Sequence, residues 1–384
     1  MLHLPIILSI FVLSAAGQYV DRPCGKDIGN LWLDIVILID NSNGMTQNGL
    51  NQVVHNIGDV FNRTRIGTAH FDARNTRIGI ATYSTQGVTV ATIDQLSSWK
   101  SLMASLSTIT ISGNDTADLA AGLDWALVVM LNGEDQRFNY HHAMIVYSAS
   151  YQVLVDSDPP PKVAQLIKDA GIDIITVGMV ENGGDTEFLK DLAAIASPNY
   201  AFDNLGEGNL VEKVQNALTD ANCYCPDDNN WRQYISNYSD PNSQKFGLCI
   251  QGNVHLTPWA SGKIYCQNLV KNGYLATEFN QMKHDYIFEM AEDDYQQVYA
   301  YHIGLTFTNG GWYWQQPKNM AMLPVGNETF WAAGFPVSAT TNTGVMNIQN
   351  GISLTASWQN VNPYTADHYV ICEVASCDTE NYCQ

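Results

Sequence analysis

Positive charge is scarce in this chain. Its 384 residues hold 18 Lys and Arg against 38 Asp and Glu, a formal net charge of −20. So acidic a surface repels phosphate backbones and anionic headgroups, which sets aside nucleic-acid and membrane-surface binding. Long apolar runs are missing beyond the amino terminus. Even the stretch 31–39 is interrupted by Asp34 and is too short to span a bilayer. Catalytic signatures are missing as well. There is no Gly-x-Ser-x-Gly, no His-Glu-x-x-His and no phosphate loop, and the pair Asp293 and Asp294 has nothing to separate its pKa values. The chain therefore reads as a binding protein and not an enzyme. Cysteine is absent between Cys24 and Cys223, yet six more follow Cys223. No Cys-x-x-Cys pair occurs, and Cys223 and Cys225 have the wrong spacing for zinc, so disulfides are expected.

What is present supports folded, extracellular domains. Hydrophobic residues make up 46% and charged residues only 15%, enough to build sizeable cores. Residues 1–17 run through apolar Leu4 to Leu13 into Ser14, Ala15, Ala16 and Gly17, the layout of a secretory signal peptide cleaved before Gln18. Secretion would make four sequons usable as glycosylation sites, at Asn62, Asn114, Asn237 and Asn327.

The uneven cysteines divide the chain into a core-held domain, 28–222, and a disulfide-held domain, 223–384. In the first, the run 31–39 reads as a central strand covered on both faces. Leu50, Val53, Val54, Ile57, Val60 and Phe61 then recur at helical spacing. Strands at 77–83, 143–147 and 172–177 alternate with helices near 117–131, 161–167, 187–195 and 210–218. That alternation predicts an α/β doubly wound parallel sheet with ligands at the carboxyl ends of its strands. Asp40, Ser42 and Gly44 follow the first strand, Gly113 to Thr116 open a helix, and Gly171 to Gly178 form a later strand. In this order they resemble a von Willebrand factor A domain. The resemblance implies a divalent-cation site at the top of the sheet, for which Asp40, Ser42 and Thr116 match by position. Gly44 replaces the second serine, and Tyr147, Ser148 and Ala149 stand where the third loop's carboxylate belongs. That leaves at most a remnant site for a weakly held Mg²⁺ or Ca²⁺. The alternative is that Asp40 orders its turn while Ser42 and Thr116 cap the helices they precede.

After Cys223 the pattern changes to short aromatic-rich strands, with helices near 258–272 and 277–290, a disulfide-stapled α+β domain. Trp231, Gly247 and Cys249, Gly262 and Cys266, Gly273 and Tyr274, Gly304, Gly311 with Trp312 and Trp314, Trp358 to Asn360, and Cys372 with Glu373 appear in series. Together they resemble a C-type lectin domain. The resemblance implies disulfides Cys266–Cys372 and Cys225–Cys249, leaving Cys24 with Cys223 and Cys377 with Cys383, although Cys225 could exchange with its neighbour Cys223. It also implies a calcium-dependent sugar site, but the long-loop stretch 331–337 is apolar where the ligand triplet should be. Trp358, Gln359 and Asn360 offer a ring and two amides without a carboxylate, a metal-free candidate for carbohydrate binding. Most of Trp312, Trp314, Trp331 and Trp358 read as core, Glu373 as part of the fold's hydrogen bonding, and His284 and Asp285 as solvated.

An A domain followed by a lectin domain resembles a set of secreted nematode proteins. The implied role is extracellular binding, with glycans as ligands through the lectin domain and a part in innate defence. The alternative is an interaction or matrix protein that contacts extracellular proteins and uses the lectin fold as scaffold.

Overall fold

The computed structural model describes residues 19–69, 74–132, 137, 140–155, 157–206, 208–226, 230–295, 299–351 and 355–383. The expected signal peptide lies outside them. The chain forms two compact units. One comprises Gly25–Cys223 with Asp378–Gln384, and the other Tyr224–Cys377 with the residues leading to Cys24.

In the first unit, β1 (Asp34–Asp40), α1 (Thr46–Val60), β2 (Arg77–Tyr83), β3 (Gly87–Ala91), α2 (Trp99–Leu106), α3 (Leu119–Leu131), β4 (His142–Ser148), α4 (Pro160–Asp169), β5 (Ile172–Gly178), α5 (Phe188–Ile195), β6 (Ala201–Asp203) and α6 (Leu210–Ala221) follow in order. The sheet runs β3-β2-β1-β4-β5-β6. Every pairing is parallel except β2 with the edge strand β3. Strand periodicity explains the two-sided burial. Ile35, Ile37 and Ile39 join the core under α1 and α6, whereas Val36 and Leu38 join the opposite core under α3 and α4. The doubly wound sheet expected from the alternation is present. Three short elements, β3, α2 and β6, had no clear periodic signal.

The amino-terminal end of this sheet is closed by charge and aromatic rings. Asp34, fully buried, accepts from Arg77 Nε at 3.0 Å and pairs with Arg137. Burial alone would raise the Asp34 carboxyl, but the two guanidiniums outweigh it and hold its pKa low. Residues 378–382 sit on the same unit. Trp32 Nε1 donates to the Asp378 carbonyl at 3.0 Å, and the Tyr382 ring meets Trp32 edge-on at 4.8 Å.

The second unit contains β7 (Arg232–Ile235), β8 (Lys245–Pro258), α7 (Trp259–Leu269), β9 (Tyr274–Leu275), α8 (Gln281–Asp294), β10 (Ala300–Thr308), β11 (Gly311–Trp314), β12 (Leu323–Pro324), β13 (Gly344–Gln349), β14 (Ala356–Val361) and β15 (Asp367–Ala375). Its main sheet runs β12-β11-β10-β15-β8-β7, with β13 and β14 added beside β10 and β9 beside β15. The core is aromatic, with Tyr234, Tyr301, Trp314 and Trp358 all almost wholly buried. Disulfide Cys266–Cys372 joins α7 to β15, and Cys225–Cys249 joins the start of the unit to β8. Cys24, Cys223, Cys377 and Cys383 are disulfide-bonded too. A buried ion cluster sits beneath. Lys283 Nζ on α8 lies 3.0 Å from both Asp21 and Glu373.

Candidate functional site

The first candidate site lies where strand order reverses between β1 and β4, the position at which open α/β sheets bind ligands. Asp40 ends β1 and is fully buried. Its Oδ1 accepts the Ser42 backbone N–H at 2.9 Å, and its Oδ2 accepts that of Ala149 at 3.2 Å. One carboxylate therefore ties the first loop to the third. Asn43 binds the second loop, its N–H donating to the Asn114 carbonyl at 2.7 Å. The Gly113–Thr116 segment is thus brought to the same end of the sheet, with Thr116 half-buried.

The capping alternative holds only for Asp40, which orders its turn. Ser42 makes no side-chain cap bond. Asp118 caps α3 in place of Thr116, accepting from Ala121 N–H at 3.1 Å. The residue that strains the first loop is Thr46, at φ +52°, a left-handed value that a β-branched residue rarely adopts. Its hydroxyl bonds Glu181 beyond β5.

Could Asp40, Ser42 and Thr116 hold a divalent cation? Mg²⁺ and Ca²⁺ need several hard oxygens, and this loop set supplies a single carboxylate among them. Burial pushes the Asp40 carboxyl above its usual range, and the Ser42 hydroxyl with the backbone donors of Ser42 and Ala149 only partly offsets it. Both of its oxygens already serve backbone N–H groups. No cluster of three or more His, Cys, Asp or Glu suited to a metal occurs among the described residues. The residues present do not fit the cation.

The sugar shelf expected at 358–360 is not on the surface. Trp358, on β14, is fully buried. Its indole N–H donates to Glu278 Oε2 at 2.6 Å, and the rings of Trp314 and Phe330 meet it edge-on at 5.4 and 5.0 Å. Asn360 Oδ1 accepts from Val337 N–H at 2.8 Å, while its Nδ2 donates to the carbonyls of Val337 and Asn342, each at 2.9 Å. Its amide pins the long loop and is not offered to a ligand. Gln359 alone remains half-exposed.

Below this lies a polar cluster that sequence reasoning missed. His284 is buried, not solvated, with Nδ1 2.7 Å from Glu278 Oε2. Burial works against its charge, but the Glu278 carboxylate wins and raises its pKa. Asn347 Nδ2 donates to Glu278 at 3.2 Å, and Phe330 stacks on the imidazole at 4.2 Å. The helix positions were legible, but their burial depends on β13, β14 and the long loop. Glu373 does belong to the fold's hydrogen bonding, accepting from Thr277 N–H at 2.8 Å. All four sequon asparagines, Asn62, Asn114, Asn237 and Asn327, are exposed.

The first unit is an α/β sheet of order β3-β2-β1-β4-β5-β6, parallel but for its edge strand β3, with three loops converging above β1 and β4. A second unit of the lectin type follows it. Residues 34–217 match the von Willebrand factor type A domain family, and that unit is a von Willebrand factor type A domain. C-type lectin domain-containing protein 160 of Caenorhabditis elegans is 25% identical over 383 residues, covering 96% of this chain. The chain spans only 56% of that relative's length. Among solved structures, proximal thread matrix protein 1 from the mussel byssus, with a zinc-occupied MIDAS motif, shows 21% identity. That match covers 51% of this chain and 48% of the other, at a TM-score of 0.42. C-type lectin CEL-I from Cucumaria echinata shows 17% identity, covering 39% of this chain and 96% of its own, at a TM-score of 0.30. Among the described residues no helix is long and apolar enough to cross a membrane.

Proposed function

We propose that this chain is a non-catalytic, secreted binding or adhesion protein that engages extracellular proteins, with the lectin fold serving as scaffold. The observation that carries this reading is the internal use of Trp358 and Asn360. The groups that would stack on a sugar and hydrogen-bond it are spent on Glu278, Val337 and Asn342. Eight disulfide-bonded cysteines support an oxidising, extracellular setting.

The test is a glycan array probed with secreted, disulfide-intact protein, with and without EDTA. Silence on every glycan from folded protein is the expected result. Binding to any glycan overturns the scaffold reading. Loss of that binding in EDTA would further assign it to a metal.

A further inference from the structure

The second loop of the first unit carries a sequon, Asn114-Asp115-Thr116. Its threonine has no other role in the fold. Asp118 caps α3 in its place, and the Thr116 hydroxyl hydrogen-bonds no other described residue. The oxygens gathered around it do not suit a cation. One chemistry remains for that hydroxyl, the one in which the asparagine two residues earlier accepts an oligosaccharide.

Asn114 is placed to carry it. The residue is exposed, as are Gly113 and Asp115 beside it. Its Nδ2 donates to Ser84 Oγ at 3.3 Å and holds a second hydrogen. Transfer replaces one of the two. The sugar's C1 bonds to Nδ2 as its bond to the diphosphate of a lipid carrier breaks, and an amide proton leaves. One N–H is left for Ser84, so the folded loop accepts the sugar without giving up that bond.

The position of that sugar is fixed by the loops on either side. From the first loop, Asn43 Nδ2 donates to the Gly113 carbonyl at 3.1 Å and to the Asp115 carboxylate at 2.7 Å. From the third, Gln152 donates to the Asp115 carbonyl at 3.3 Å and accepts the Ala117 N–H at 3.1 Å. Ser84 follows β2, whose last residue Tyr83 sits in register with Asp40 of β1. The Asn114 amide therefore lies over the carboxyl ends of these two strands. The other sequons lie elsewhere. Asn62 follows the far end of α1, and Asn237 and Asn327 belong to the second unit.

We infer that an N-linked oligosaccharide on Asn114 closes the loop end of the von Willebrand factor type A domain. A branched, solvated sugar at this point covers Asn43, Asp115 and the strand ends beneath them. Open α/β sheets take ligands at those ends, so a protein partner is engaged on another surface of the chain. The inference rests on the secretory part of the reading above, since the transfer occurs in the secretory pathway, and deepens it by removing one face from the binding surface.

The experiment uses the full chain, residues 1–17 included, secreted from eukaryotic cells grown to keep high-mannose glycans. Occupancy at each sequon is read by peptide mapping after enzymatic deglycosylation in heavy-oxygen water. Closure is read by carbodiimide labelling of the Asp115 carboxylate, with exposed Asp169, just before β5 and so at the other end of the sheet, as the reference. Three samples are compared, the native chain, Thr116→Ala, and the native chain trimmed by endoglycosidase to its first sugar. We expect Asn114 to be glycosylated, Asp115 to label several-fold more slowly in the native chain than in the other two, and Asp169 to label alike in all three. A bare Asn114 beside occupied Asn62, Asn237 or Asn327 would overturn this inference and leave the secretory reading standing. No glycan at any sequon would remove that reading and this inference with it. An occupied Asn114 with equal Asp115 labelling in native and trimmed chains would overturn the closure. If Thr116→Ala does not fold, the trimmed chain decides alone. A positive glycan array removes the protein-binding reading and leaves the Asn114 sugar untouched.

Discussion

Single side chains carry the clearest departures from expectation. Histidine 284 occupies a helix position that reads as solvated, yet it is sealed between Glu278 and Phe330. Its folded pKa lies above the unfolded value of about 6.5. The charged pair therefore stabilises the unit fully below that pH, and the contribution is lost as pH rises through the folded pKa. His302 behaves oppositely. Burial, with His368 beside it, lowers its pKa to about 4, so it adds stability above about 6.5 that is lost as pH falls toward 4. Ring-resonance NMR should show His284 titrating above a free histidine and His302 still neutral at pH 5. The opposite order would remove this account. At Asp40, replacement by Asn should cost about 1–3 kcal/mol, because two backbone N–H groups depend on the carboxylate. Adding millimolar Mg²⁺ or Ca²⁺ should leave the melting temperature of the native chain within about 1 °C, since a specific site would stabilise by mass action.

At the scale of elements, a single strand ties the second unit's core to its long loop. Strand β14 turns Trp358 inward and Asn360 toward the long loop, so one strand both fills the core and pins the loop. Replacing Trp358 with Ala should cost about 3–5 kcal/mol, the range for emptying a buried aromatic site. A surface stacking residue would cost little, and urea melts distinguish the two. Asn360→Ala should instead leave the global melt nearly intact and speed proteolysis within 331–343, because it frees Val337 and Asn342 locally. In the first unit, the paired faces of β1 were legible because each face of a two-sided strand must be apolar. The short β3, α2 and β6 were not, since so few residues carry no measurable period.

At the scale of the molecule, the last residues belong with a unit that begins more than three hundred positions earlier. Tyr382 meets Trp32 edge-on at 4.8 Å and shares a 2.6 Å hydrogen bond with Tyr140. Tyr382→Ala should therefore destabilise the von Willebrand factor type A domain by about 1–3 kcal/mol, read as a shift of its own transition in calorimetry. An unshifted transition would show the tail to be an ornament. The sequence alone determined the class of both units, because strand and helix periods and the cysteine, glycine and tryptophan landmarks are local signals. The resemblance to von Willebrand factor A domains also placed Asp40, Ser42 and Thr116 on loops at one end of a parallel sheet. Only the tertiary structure decided which of those groups remain available. Asp40 is committed to Ser42 and Ala149, Trp358 to Glu278 eighty residues away, and Asn360 to the long loop. Burial and hydrogen-bond satisfaction are settled by partners distant in sequence, and no local pattern records them.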